Sequence, residues 1–188
     1  MAVTRAVIRA VPWDARRAAS ARKLREQTGG TIVWDSERHA YETFIDALFF
    51  AAAIGDVIHM EDDVQLTSGW RDKAEAVIAA HREDVIQFFS MRGADLPTGS
   101  RTEPGRTFLM AQCFYVPARL AGPLAEFAPG WIGREADPTG VDLAVRAFLV
   151  AEGLTYHLHV PSLVQHRRWR SAINPRRGSG RQSRSFEP

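Results

Sequence analysis

The chain has 188 residues, 45% of them hydrophobic and 24% charged, with a formal net charge of +2. That length suits one domain with a single core, and the composition is that of a soluble globular protein rather than a disordered or fibrous one. The longest apolar stretch, Ala47 to Ile54, falls far short of the roughly 18 residues of a membrane span, and the N-terminus lacks the continuous hydrophobic run of a signal peptide.

Residues 3–11 are rich in β-branched side chains and predict a first strand, broken by Pro12-Trp13-Asp14. Residues 15–27 have helical composition, with Ala18, Ala21 and Leu24 on one face and Gly29-Gly30 as the stop. Thr31 to Trp34 reads as a short strand ending at Asp35. In residues 39–54 the apolar positions Phe44, Ile45, Leu48, Phe49 and Ala52 keep the period of one helical face. Gly55-Asp56 ends that helix, and Val57 to Met60 is a third strand. A helix over residues 71–82 and a strand over Val85 to Phe89 follow. Residues 91–106, rich in Gly, Pro, Thr and Arg, read as a long loop. Phe108 to Val116 is a further apolar strand. It contains the single cysteine, Cys113, so no internal disulfide can form, which suits a reducing cytoplasm. Pro117 to Phe127 reads as a helix, Gly130 to Gly133 as a loop, and Asp137-Pro138 as the opening of a helix closed by Gly153. Leu154 to Val160 is a last strand.

From Asn174 the chain loses hydrophobicity, and a disordered basic tail over residues 174–188 is expected behind a domain of residues 1–173. Residues 167–188 hold seven arginines and one glutamate, so the rest of the chain is acidic. Lysine is confined to Lys23 and Lys73. A positive charge made almost entirely of guanidinium has two readings, genome composition alone or phosphate binding, where the planar fork has an advantage.

The opening β-α-β-α-β pattern implies a mostly parallel sheet flanked by helices. Ligands bind beyond the carboxyl ends of such strands. Pro12, Asp35 and the triplet Glu61-Asp62-Asp63 all fall at those ends. Three adjacent carboxylates at the end of a buried strand repel one another and resist burial. A cation is therefore expected beside them, and Mg²⁺ or Mn²⁺ holding a phosphorylated ligand is the leading candidate. The competing reading is a solvated acidic turn.

The run His59-Met60-Glu61-Asp62-Asp63-Val64-Gln65-Leu66 resembles the Asp-X-Asp-type segment of GT-A glycosyltransferases, in its Leu-Glu-Asp-Asp-Val variant. Further stretches match in order: Thr31 to Asp35, Gln112 to Pro117, Gly140-Val141-Asp142-Leu143, and Pro161-Ser162-Leu163-Val164-Gln165-His166. The resemblance spans residues 3–171 and implies an α/β, GT-A-like (Rossmann-like) fold. It implies transfer of a sugar from a nucleotide diphosphate, a UDP-sugar in the first instance, with Mn²⁺ (or Mg²⁺) as cofactor. Asp63 would be the main metal ligand, with His166 completing the shell and Glu61 reaching the metal or the ribose. Asp62 would support the loop or the sugar. Asp35 would meet the base or ribose, and Pro12, Arg16 and Arg168 the nucleotide. Asp142 would be the general base of an inverting transfer, with Asp137 and Glu135 as competitors. Asp142 also has the spacing of a helix-capping acid.

Arg9, Arg16 and Arg17 are placed to meet a phosphate or base, whereas Arg176, Arg177, Arg181 and Arg184 read as electrostatic steering or as nothing. The acceptor stays open between modified DNA, a protein and a glycan, as does the oligomeric state. The other class of function is a non-enzymatic nucleic-acid-binding protein using the Arg/Gly/Ser tail and Trp169.

Overall fold

The structure is a computed structural model, which describes residues 4–132, 140–172 and 180–188. Strands β1 (Arg5–Ala10), β2 (Thr31–Trp34) and β3 (Val57–Glu61) are joined by helices α1 (Ala15–Thr28) and α2 (Ala40–Ile54). Asp14 starts α1: its side chain accepts the backbone N–H groups of Arg16 and Arg17, two donors the first helical turn leaves open. Gly29 ends it with φ at +66°, a left-handed conformation that costs glycine little. Next to it Gly30 lies so close to β1 that a Cβ would sit 2.6 Å from the Ala6 carbonyl oxygen.

The chain continues through β4 (Val64–Leu66), α3 (Trp70–Ala80), β5 (Val85–Gln87), a single turn α4 (Asp95–Thr98) and β6 (Arg101–Pro104). It then forms β7 (Cys113–Val116), α5 (Ala118–Ile132), α6 (Val141–Ala151), β8 (Thr155–Leu158) and β9 (Val164–His166). Seven strands make one sheet in the order β2-β1-β3-β7-β5-β8-β6. β1 runs parallel to β2 and β3, and β5 parallel to β8, while β7 and β6 are antiparallel to their neighbours. The sheet is thus mixed but mostly parallel, with β4 and β9 forming a separate antiparallel ribbon.

Strand alternation divides the core between the two faces of the sheet. Ile8, Ile58 and Met60 pack against α1 and α3 through Leu24, Trp70 and Ile78. On the other face Phe114, Val116 and Tyr156 meet α2, α5 and α6 through Phe44, Leu124 and Phe148. Among the described residues, no helix is long and apolar enough to cross a membrane.

Several boundaries differ from those the sequence predicts. The expected loop 91–106 contains α4 and β6. β6 reads Arg-Thr-Glu-Pro, polar and ending in proline, which is tolerated because the strand lies at the sheet edge. The expected strand from Phe108 is regular only from Cys113, since Met110 has φ at +75°. α5 continues past Phe127 to Ile132 despite Pro123 and Pro129 within it, so Gly130 and Trp131, read as loop, are helical. The expected helix start at Asp137-Pro138 lies outside the described residues.

Of the tail expected to be disordered, residues 174–179, with Arg176 and Arg177, lie outside the described residues. Residues 180–188 have no regular secondary structure, but Ser183 and Ser185 are buried against the body. Hydrogen bonds rather than apolar contacts hold them, which hydrophobicity does not register.

Candidate functional site

A cavity of about 80 Å³ opens at the carboxyl ends of β1, β2 and β3. Ala10 and Val11 line it after β1, Asp35 after β2, and Glu61, Asp62 and Asp63 after β3. A second, more polar cleft of about 320 Å³ shares Asp35 and Thr43 with it and adds Glu37, Glu42 and Asp46.

The cation demanded by the acidic triplet is, within the protein, Arg17. It lies in the first turns of α1, the helix that begins just beyond β1. Its guanidinium is 2.5 Å from Asp62 Oδ1 and 2.9 Å from Asp63 Oδ2, and it also donates to the Arg170 carbonyl at 3.0 Å. All three charged side chains are less than a tenth exposed. Asp62 also accepts the Val11 N–H at 3.0 Å, so it ties the end of β3 to the β1–α1 turn. Burial pushes the Asp62 carboxyl up, against the opposing pull of Arg17. For Asp63 burial acts in the same direction, but His166 and Arg17 outweigh it and hold the carboxyl below the usual range.

His166 reaches Asp63 through the β4–β9 ribbon. The register pairs Val64 with His166, and the Arg167 N–H donates to the Asp63 carbonyl at 2.7 Å. His166 is fully buried, with Nε2 3.2 Å from Asp63 Oδ2 but off the hydrogen-bonding direction. Asp63 Oδ1 and His166 Nδ1 are buried without hydrogen-bond partners among the described residues.

Glu61 follows a different geometry from Asp63. It is the register partner of Arg9, and its Oε1 is 3.3 Å from the Arg9 guanidinium, which also donates to the Ala111 carbonyl at 3.2 Å. Arg9 sits over the Phe44 ring at 5.0 Å, on the α2 side of the sheet. Burial first, and Asp63 second, push the Glu61 carboxyl up, while Arg9 opposes them.

Asp35 is 3% exposed. Its Oδ1 accepts the His39 N–H at 2.7 Å, just before α2 starts, and its Oδ2 is buried without a partner among the described residues. Asp142, in the first turn of α6, accepts the Met110 N–H on Oδ2 at 3.1 Å. That bond holds the left-handed backbone at Met110. Val141 lines the cavity, but Asp142 does not. Glu135 and Asp137 lie outside the described residues.

The sequence names Arg9, Arg16 and Arg17 together, and the geometry separates them. Arg9 and Arg17 line the cavity, whereas Arg16 is exposed and lies 4.7 Å over the Trp169 ring. Pro12 and Arg168 are exposed and outside the lining. Arg181, read as steering or as nothing, lines the cavity. An arginine in the hydrophilic stretch beyond the last strand carries no local signal of that return.

A metal was the expectation for this site. Among the described residues no group of three or more His, Cys, Asp or Glu side chains is gathered to hold one. What is present is a pair, Asp63 and His166, each with a buried atom lacking a partner. One carboxylate and one imidazole fit an ion that takes its remaining ligands from phosphate and water. No protein-family model matches the chain, and no curated protein matches it.

Proposed function

We propose that this chain is a GT-A-like glycosyltransferase that binds a nucleotide-diphosphate sugar across the carboxyl ends of β1, β2 and β3 and transfers the sugar to a hydroxyl acceptor. The observation that carries this reading is the pair of buried, partnerless carboxylate oxygens on Asp35 and Asp63, which line one cavity together with Arg9, Arg17 and Arg181. Unsatisfied buried oxygens are costly, by roughly 1–3 kcal/mol each. A ligand that brings donors to Asp35 and a cation to Asp63 removes both costs at once.

In this reading Asp35, at the junction of the cavity and the polar cleft, accepts from the ribose or base. The arginines face the diphosphate. Mn²⁺ or Mg²⁺ bound at Asp63 and His166 would neutralise charge on the departing diphosphate. The acceptor oxygen attacks the anomeric carbon, the bond from that carbon to the diphosphate oxygen breaks, and the acceptor proton passes to a carboxylate. Asp142 is the base proposed, and in the free protein one of its oxygens holds Met110. Arg17, tied to two carboxylates, holds Asp62 and Asp63 in place and opposes the effect of burial on their charge.

The test is donor hydrolysis. Purified protein with UDP-sugars and Mn²⁺ should release UDP, and UDP with Mn²⁺ should raise the melting temperature more than either alone. Neither effect with any nucleotide diphosphate tried would sink the proposal. The nucleic-acid-binding alternative gains little from the site, because Trp169 already carries the guanidiniums of Arg16, Arg17 and Arg167 within 6 Å of its ring.

A further inference from the structure

The C-terminal segment is held in place by more bonds than a passive tail needs. Ser183 Oγ donates to Ser162 Oγ at 2.9 Å, the Ser162 N–H donates to Ser185 Oγ at 3.0 Å, and the Ser185 N–H donates to Ser183 Oγ at 3.2 Å. Gln165 and Ser183 exchange a reciprocal pair: Gln165 Nε2 donates to the Ser183 carbonyl at 3.0 Å, and the Ser183 N–H donates to Gln165 Oε1 at 2.8 Å. Gln182 Nε2 donates to the carbonyl of His166. Thr67 Oγ1 donates to the carbonyl of Glu187. Several of these groups are buried, where a hydrogen bond contributes roughly 0.5–1.5 kcal/mol. The segment therefore belongs to the body, and it runs beside β9, the strand that presents His166.

Arg181 directly precedes these anchors. It lines the cavity, and its charge acts on Glu61 and Asp63. Its Nε is buried without a hydrogen-bond partner among the described residues. Arg9 and Arg17 also keep a buried Nε without a partner among the described residues, while their terminal nitrogens reach protein carboxylates and carbonyls at short range. A planar guanidinium fork matches phosphate oxygens in pairs.

We propose that residues 180–188 are part of the binding site, anchored on Ser162 and Gln165 so that Arg181 presents its guanidinium to the diphosphate group of the ligand, with Arg9 and Arg17 behind it. The identification of the ligand as a diphosphate rests on the glycosyltransferase reading. The placement of an anion-binding arginine by the tail does not. Arg181 thus has a binding role, and the serine–glutamine anchor has a positioning role.

The probe is inorganic pyrophosphate with Mn²⁺, titrated calorimetrically into the full chain. Arg181→Gln is expected to weaken pyrophosphate binding at least tenfold, with the free protein still unfolding in one cooperative transition and with partial recovery in Arg181→Lys. The double substitution Ser183→Ala with Ser185→Ala should weaken binding while leaving Arg181 in the chain. Arg106→Gln, exposed and outside the cavity lining, should leave it unaltered. Equal or tighter binding in Arg181→Gln would mean that the side chain merely fills the cavity, and would overturn the proposal. So would a wild-type protein with no affinity for pyrophosphate. Arg181-dependent pyrophosphate binding without release of UDP from any UDP-sugar would retire the glycosyltransferase reading and keep this one.

Discussion

Two buried charged clusters sit toward opposite ends of the sheet, and they are built differently. Toward the β6 edge, Asp95 is 1% exposed, and both its oxygens are satisfied: Ser90 Oγ donates to one and Arg101 to the other at 2.6 Å. Arg101 in turn meets Glu103 Oε1 at 2.5 Å. Beyond β3, Asp62 is likewise closed by Arg17 and Val11, but Asp63 and Asp35 each keep a buried oxygen with no partner. The first cluster closes its hydrogen bonds on itself and pins β6 to the preceding turn. The second leaves donors and a cation to be supplied from outside. Burial and charge alone do not separate a structural cluster from a binding one; the state of the remaining lone pairs does.

The largest expected effect follows from cutting each cluster at its arginine. Arg17→Gln leaves Asp62 and Asp63 buried without their counter-charge, and should lower unfolding free energy by about 3–5 kcal/mol. Urea denaturation measures it, and a loss under 1 kcal/mol would show that the carboxylates are paired elsewhere. Arg101→Gln should cost less, about 2 kcal/mol, because its side chain is a quarter exposed and Ser90 still serves Asp95. It should leave UDP binding untouched.

Asp63→Asn sharpens the contrast from the ligand side. It should abolish the Mn²⁺-dependent part of the thermal shift with UDP. Asp35→Asn keeps an oxygen for the His39 N–H, so stability should change by less than about 1 kcal/mol, while nucleotide affinity falls about tenfold. If both substitutions left UDP binding intact, the open cluster would be structural too.

A smaller effect concerns pH. Burial, with His81 and His159 nearby, depresses His157 from 6.5 to about 4. Its folded form thus resists protonation more than its unfolded form. The unfolded chain binds more protons between those values, so stability is full above pH 6.5 and is lost as pH falls toward 4. Fully buried His59, depressed to about 3 by burial and by Arg9, extends the loss further into acid. His157→Gln should remove about 2 kcal/mol of that acid sensitivity, read from urea midpoints across the range. An identical pH profile in the variant would assign the effect to other groups.

The alternation of apolar runs with helical periodicity made the α/β class, the mostly parallel sheet and its flanking helices legible, because burial of one face imposes a period that local sequence must carry. The strand-end positions of Asp35 and of Glu61 to Asp63 followed from the same pattern, together with the demand for a positive charge beside the triplet. What supplies that charge inside the protein was decided by the tertiary structure: Arg17, one residue beyond Arg16 on α1, is buried against Asp62 and Asp63 while Arg16 stays exposed. The return of Arg181 from a hydrophilic tail was likewise invisible, since it depends on serine and glutamine bonds with no periodic signature. β6 was read as loop because a sheet edge accepts polar residues and proline. Sequence patterns report which residues must leave water. Which polar groups then find partners, and which are left open for a ligand, depends on distances between segments up to 153 residues apart, and only the folded chain sets those.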